Sequence, residues 1–233
     1  MFSEDQEARV TFVIQALIFD FDGLILDTEG PIFQSWQELY QAQGGYLPLS
    51  TWADFIGTAE KTFNLFDHLE QQLGHPLDRT TLGPRRRGRE MELVAMQPVL
   101  PGVQAYIERA RQLGLKLGLA SSSDCGWVTG HLERLGLLPA FDCICAADDV
   151  QVTKPNPALY LSVLTGLNLR ANQAIALEDS PNGVLAAKRA GIFCVAVPNQ
   201  LTRRLPLDHA DLLLTSLEEI SLDDLLARVE KTG

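Results

Sequence analysis

Two hydrophobic rhythms alternate along the chain. Short apolar runs at residues 13–19, 115–120, 141–146, 174–177, 193–197 and 212–214 have the length and the Val, Ile and Leu content of strands buried on both faces of a parallel sheet. Between them, from Pro101-Gly102 onward, lie segments with helical spacing at residues 103–113, 127–135, 157–164 and from Pro181 to just before Gly191, with a tail helix at 222–229. Ser180 as cap, Pro181 in the first turn and Gly191 just past the end give one of these helices a clear start and stop. Alternating strand and helix of this kind is the pattern of a parallel α/β sheet.

The rhythm differs between the first strand and residue 97. Residues 31–43 carry Ile32, Phe33, Trp36, Leu39 and Tyr40 at helical spacing and stop at Gly44-Gly45. A short helix is predicted at 51–56 behind Ser50 as cap, a third at 59–73 with Phe63, Phe66, Leu69 and Leu73 in one stripe, and a fourth at 85–96. No convincing strand interrupts them. The predicted fold is therefore α/β, a Rossmann-like parallel sheet core built from residues 1–26 and 97–233, with residues 27–96 inserted as an all-helical cap.

Composition narrows the setting. An apolar share of 46% is ordinary for a globular fold, and no run approaches the length needed to span a bilayer. The acidic, polar start MFSEDQEARV is unlike a signal peptide, which predicts a cytoplasmic protein. A net charge of −11 argues against nucleic acid or an anionic membrane as the main partner. Cys125, Cys143, Cys145 and Cys194 fit neither a disulfide framework nor a CxxC pair and read as core thiols in a reducing compartment. His68, His75, His131 and His209 lack the spacing of metal ligands. Nothing in the pattern sets an oligomeric state.

The candidate chemistry lies at the predicted strand ends. The first apolar run delivers Asp20 and Asp22 and then Gly23, which lets the chain turn. The second runs into Ser121, Ser122 and Ser123, a later one into Glu178 and Asp179, and Lys154 lies in a loop between them. Open α/β sheets bind ligands outside the carboxyl ends of their strands. Carboxylates gathered there suit a hard divalent ion such as magnesium, which needs few protein ligands. Ser121 and the amides after it can bond phosphoryl oxygens, and Lys154 supplies a point charge. Each residue also has an ordinary structural use: Ser121 or Ser123 as a helix cap, Lys154 as a solvated loop residue, Glu178-Asp179 as an acidic helix start. Arg85, Arg86, Arg87 and Arg89 form the one basic run, expected to face solvent or to pair with acidic neighbours.

Four blocks in this order, FDFDGLILDTE, LGLASSS, KPNPALY and ALEDSPNG, resemble the haloacid-dehalogenase superfamily, specifically its beta-phosphoglucomutase-like phosphatases with a helical cap after the first strand. The resemblance spans residues 18–199. It implies that Asp20 is a nucleophile that becomes an aspartyl phosphate and Asp22 a general acid and base. It also implies that Asp20, the backbone carbonyl of Asp22, and Asp179 bind magnesium, with Glu178 direct or one layer behind, and that Ser121, Ser122 and Lys154 hold the phosphoryl group. The implied substrate is a small phosphorylated metabolite. Asp22 argues against dehalogenation, since the dehalogenases of the superfamily lack that second acid.

Departures fall in the cap. Where sugar mutases of this branch carry lysine, glycine and a phosphate-binding arginine, this chain has Ile56, Gly57 and Glu60, with Thr58 between, and Ile32 stands where they carry histidine. Glu60 would repel the second phosphate that a mutase must hold. Hydrolysis is therefore expected over phosphomutase activity. A phosphoaspartate receiver domain would show neither the DxD after its first strand nor the helical insertion, and a nucleotide-binding enzyme would show GxGxxG or GxxxxGK[ST], both absent.

Overall fold

The computed structural model describes residues 13–52, 64–199 and 201–231. Its sheet has strands β1 (Ala16–Phe19), β2 (Lys116–Ala120), β3 (Cys143–Cys145), β4 (Ala174–Glu178), β5 (Phe193–Ala196) and β6 (Leu212–Leu213), all parallel, in the order β3-β2-β1-β4-β5-β6. The helices described are α1 (Glu29–Ala42), α2 (Leu65–Leu73), α3 (Arg79–Ala95), α4 (Val103–Gln112), α5 (Cys125–Arg134), α6 (Ala158–Leu167), α7 (Pro181–Arg189) and α8 (Leu222–Glu230), with residues 49–52 also helical. This is the Rossmann-like α/β fold. From β1 the chain moves outward to β2 and β3, then returns across the sheet to β4, so strand order reverses between β1 and β4 and opens a crevice at their carboxyl ends.

Strand alternation explains the two layers around the sheet. In β1 (ALIF) and β4 (AIALE), Leu17, Phe19, Ile175 and Leu177 turn to one face and pack with Tyr106 and Ile107 of α4, Val128 and Leu132 of α5 and Leu225 of α8. Ala16, Ile18, Ala174 and Ala176 turn to the other, where small residues let Tyr160 and Val163 of α6 and Ala186 and Ala187 of α7 approach closely. Gly118 of β2 shares that face. A Cβ there would collide with Val163 Cγ1 and lie 3.3 Å from Leu167 Cδ1. Gly118→Ala is expected to lower the unfolding free energy by about 1–3 kcal/mol, the range of a core overpacked by a methyl group, read from the urea midpoint. An unchanged midpoint would mean that α6 retreats without cost.

The inserted helices have a hydrophobic cluster of their own: Leu39, Tyr40, Leu47, Trp52, Leu65 and Leu69. The Tyr40 hydroxyl donates to the Leu65 carbonyl at 2.5 Å, tying α1 to the start of α2. Departure and return run side by side, for Leu26 bridges to Val99 and the Leu100 amide donates to the Ile25 carbonyl at 2.9 Å. Val94, near the end of α3, packs into the sheet's cluster, so the insertion is anchored through its last turn.

Several boundaries differ from the pattern. The fourth helix starts at Arg79, not residue 85, and carries Pro84 inside it. Asp78 caps it by accepting from the Thr81 amide, and Arg79 reaches Asp67 and Glu70 of α2, so cap and ion pairs offset the cost of Pro84 within the helix. Helix α2 starts at Leu65 behind Asn64, which accepts from the amides of Phe66 and Asp67, and residues 59–63 of the predicted helix lie outside the described residues. Ser50 lies inside its helix instead of capping it, and β3 covers only three residues. Cys125 is exposed at the start of α5, while Cys145 and Cys194 are buried as expected. Ile56, Gly57, Thr58 and Glu60 lie outside the described residues. No described helix is long and apolar enough to cross a membrane.

Candidate active site

Sheet register sets the first pair of acids. Phe19 lies opposite Leu177, and the Asp20 amide continues the ladder to the Leu177 carbonyl at 2.9 Å, so Asp20 and Glu178 stand at the same level on neighbouring strands. Both continue the face of Ile18 and Ala176, toward α6 and α7. There Lys154 donates from Nζ to Asp20 Oδ1 at 2.5 Å and to Glu178 Oε1 at 2.7 Å. The Tyr160 hydroxyl donates to the same Glu178 oxygen at 2.6 Å, and the other takes the Asp179 amide at 3.2 Å and the Ser180 hydroxyl at 3.4 Å. Glu178 is fully buried with donors on both oxygens, and its carboxylate lies where a Cβ of Gly183 would sit. Gly183 is thus required by close approach.

Asp179 completes the cluster. Its Oδ2 accepts from Asn199 Nδ2 at 2.9 Å, and it lies where a side chain at residue 23 would be. Gly23 therefore serves twice, since its φ of 83° makes the turn and its missing Cβ admits Asp179. Asp20, Glu178 and Asp179, all buried, each bring a carboxylate oxygen to within 4.8 Å of the others. Burial, then repulsion from Glu178, pushes the Asp20 carboxyl up to about 7, against the pull of Lys154. Burial, then Asp20 and Glu178, likewise raises Asp179 well above the carboxylate range. Burial would depress the Lys154 ammonium, but Asp20 and Glu178 outweigh it and keep the lysine charged. Three carboxylates face one ammonium, a donor set that fits a hard divalent cation. Asp20 and Asp179 have the freer oxygens for one, and Glu178 stands behind them.

The carboxylate of Asp22 is outside this cluster. Its Oδ2 accepts from Ser123 Oγ at 2.7 Å and from Ser121 Oγ at 3.4 Å, and its Oδ1 accepts from Trp127 Nε1 at 3.0 Å. Ser121 is fully buried, and its hydroxyl oxygen accepts the Ser123 amide at 3.0 Å. Ser122 and Ser123 line the cleft. The cap of α5 is Asp124, which accepts from the Trp127 amide at 2.8 Å, so neither Ser121 nor Ser123 serves as the cap. The cleft has a volume of about 470 Å³; its walls are Asp20, Asp22, Lys154 and Asp179 from the sheet side and Glu29, Ile32, Arg87 and Glu90 from the inserted helices. Glu29 is pushed up to about 7 by burial and then by Asp22, Asp27 and Glu90.

The arginine run divides. Arg86 pairs with buried Glu90 and lies over Trp36, Arg89 pairs with Glu38 and Glu92, and Arg85 is exposed. Arg87 pairs with Glu90 and also reaches the cleft. Pattern reading missed Trp127, Tyr160 and Asn199 as parts of the site, named Ser123 only at a strand end or as a helix cap, and expected Arg87 to face solvent or pair with acidic neighbours. Tyr160 stands within the KPNPALY block, where its tyrosine at one turn into a helix was the only hint. Trp127 carried no local signal beyond helical spacing.

Comparison with known proteins agrees with the geometry. The profile described as Haloacid dehalogenase-like hydrolase matches residues 17–197. YhcW of Bacillus subtilis (strain 168) is 48% identical over 214 residues, covering 92% of this chain and 97% of that protein. Validoxylamine A 7'-phosphate phosphatase of Streptomyces hygroscopicus subsp. limoneus is 32% identical over 87% of this chain and 94% of its own. The crystal structure of CbbY from Rhodobacter sphaeroides in complex with phosphate matches with a TM-score of 0.69 at 29% identity, over 91% of this chain and 99% of that one.

Proposed function

The chain belongs to the haloacid dehalogenase-like hydrolases and acts on phosphoric monoesters, and we propose that it hydrolyses a small phosphorylated metabolite, with magnesium, through an aspartyl phosphate on Asp20. One observation carries this reading: Asp20, Glu178 and Asp179 converge, buried, around a single lysine at the switch point of the sheet. An oxygen of Asp20 attacks phosphorus, forming an acyl phosphate as the bond from phosphorus to the alcohol oxygen breaks. Asp22 gives that oxygen a proton, then takes one from the water that attacks the acyl phosphate, and inorganic phosphate leaves with Asp20 restored. Lys154 holds the unused oxygen of Asp20 and offsets phosphoryl charge, and Ser121 and Ser122 orient the group at the start of α5. Magnesium, held by Asp20, Asp179 and the Asp22 carbonyl, would neutralise charge on the transferring group.

Residues 27–96 act in this reading as the cap that closes over the substrate and sets its identity. Ile32 supports hydrolysis over phosphomutase chemistry, because an apolar side chain in the cleft wall cannot carry a proton for a second sugar hydroxyl. The relative named for validoxylamine A 7'-phosphate supports a small phosphorylated substrate. Hydrolysis of p-nitrophenyl phosphate should vanish in EDTA and return with magnesium. Full activity in exhaustively chelated enzyme would remove the metal from the mechanism.

A further inference from the structure

Trp127 has no part in the scheme above, yet its contacts converge on Asp22, the residue that the scheme uses twice, first as acid and then as base. Its indole N–H donates to Asp22 Oδ1 at 3.0 Å. The ring is held on two sides. His131, one turn further along α5, meets it edge-on with centroids 4.4 Å apart and in turn stacks on Phe21, the residue between the two acids. From the inserted helices, Arg87 brings its guanidinium 5.6 Å from the ring centroid, and Arg87 is itself fixed by Glu90, which is 2% exposed. The Asp124 cap fixes Trp127 from its own backbone.

We propose that Trp127 is a positioning residue for Asp22: it holds Oδ1 so that Oδ2 is the oxygen that trades the proton, and Arg87 braces the indole from the cap. The inference rests on reading Asp22 as the general acid. Without the indole donor, Asp22 keeps only hydroxyl partners, all on Oδ2, and its carboxylate is free to turn about its own torsions. Arg87 ties that restraint to the inserted helices, so the acid is held best when cap and core are together. A cation over an indole face is attractive on general grounds, and more so where water is thin.

The consequence is selective. An alcohol leaving as an alkoxide needs the proton that Asp22 gives, whereas p-nitrophenolate leaves well without it. In Trp127→Phe the ring and its packing remain and the N–H is lost. Its kcat/KM should fall about ten- to a hundredfold on glycerol 2-phosphate, the span of a hydrogen bond to a charged group, and less than about threefold on p-nitrophenyl phosphate. Arg87→Met should show the same selectivity at smaller size. Asp22→Asn is measured beside them, and urea midpoints check that each variant folds. If Asp22→Asn is selective but Trp127→Phe loses equally on both substrates, or on neither, Trp127 is only packing and the inference is overturned. If Asp22→Asn itself lacks the selectivity, the acid assignment fails and the positioning role fails with it.

Discussion

Asp20→Asn is expected to lower kcat by at least about ten-thousandfold and to leave no phosphoenzyme when radiolabelled substrate is quenched in acid, because removal of a covalent nucleophile costs on that scale. The substitution preserves shape. Asparagine keeps one carbonyl oxygen for Lys154 but offers no anion to attack phosphorus. It also removes one of three buried carboxylates that repel one another, and repulsion from Glu178 stands second only to burial in raising the Asp20 carboxyl. The metal-free variant should accordingly unfold at no lower urea concentration than the parent. Near-normal turnover would eliminate the covalent route, whereas lost turnover with a collapsed midpoint would point to a structural role.

Lys154→Met is expected to be the most destabilising change in the site. The lysine side chain is 6% exposed and bonds both Asp20 and Glu178, themselves nearly or fully buried. Removing one partner from a buried ion pair leaves the other charge without compensation, typically at about 3–5 kcal/mol. Methionine fills similar volume, so packing loss contributes little. Urea unfolding in EDTA should show a loss of that size, and magnesium should restore part of it by supplying the missing positive charge. A loss under about 0.5 kcal/mol would place Lys154 among surface residues that pair without stabilising. Turnover should fall as well, since the phosphoryl group loses a cation that no other described side chain of the cleft provides from the sheet side.

Much of the core was legible because its signals are local. Each strand ran apolar into a polar end, so Asp20, Ser121, Glu178 and Asp179 could be placed at one sheet edge before any contact was known. The helix from Pro181 was marked by Ser180 and by Gly191, and it forms as Pro181–Arg189 with Ser180 accepting the Gly183 amide. The inserted helices were less legible. The pattern placed the start of the fourth helix at residue 85, but α3 starts at Arg79 and runs through Pro84, held by the Asp78 cap and by Arg79 reaching back to α2. Helix propensity is a weak prior, and partners on another helix override it.

By itself, the sequence determined which residue types stand at the strand ends, the order of strands and helices and, through its four blocks, the family. Only the tertiary structure decided how those residues pair. It joined Lys154 to Asp20 and Glu178, made Glu178 a buried support for that lysine, turned Asp22 away from the carboxylate cluster onto Ser123 and Trp127, and brought Arg87 from the inserted helices to the indole. The physical reason is separation along the chain. Lys154 and Asp20 are 134 positions apart, and Trp127 and Asp22 are 105 apart. Local periodicity is blind to such pairs, and sheet register and helix packing set them.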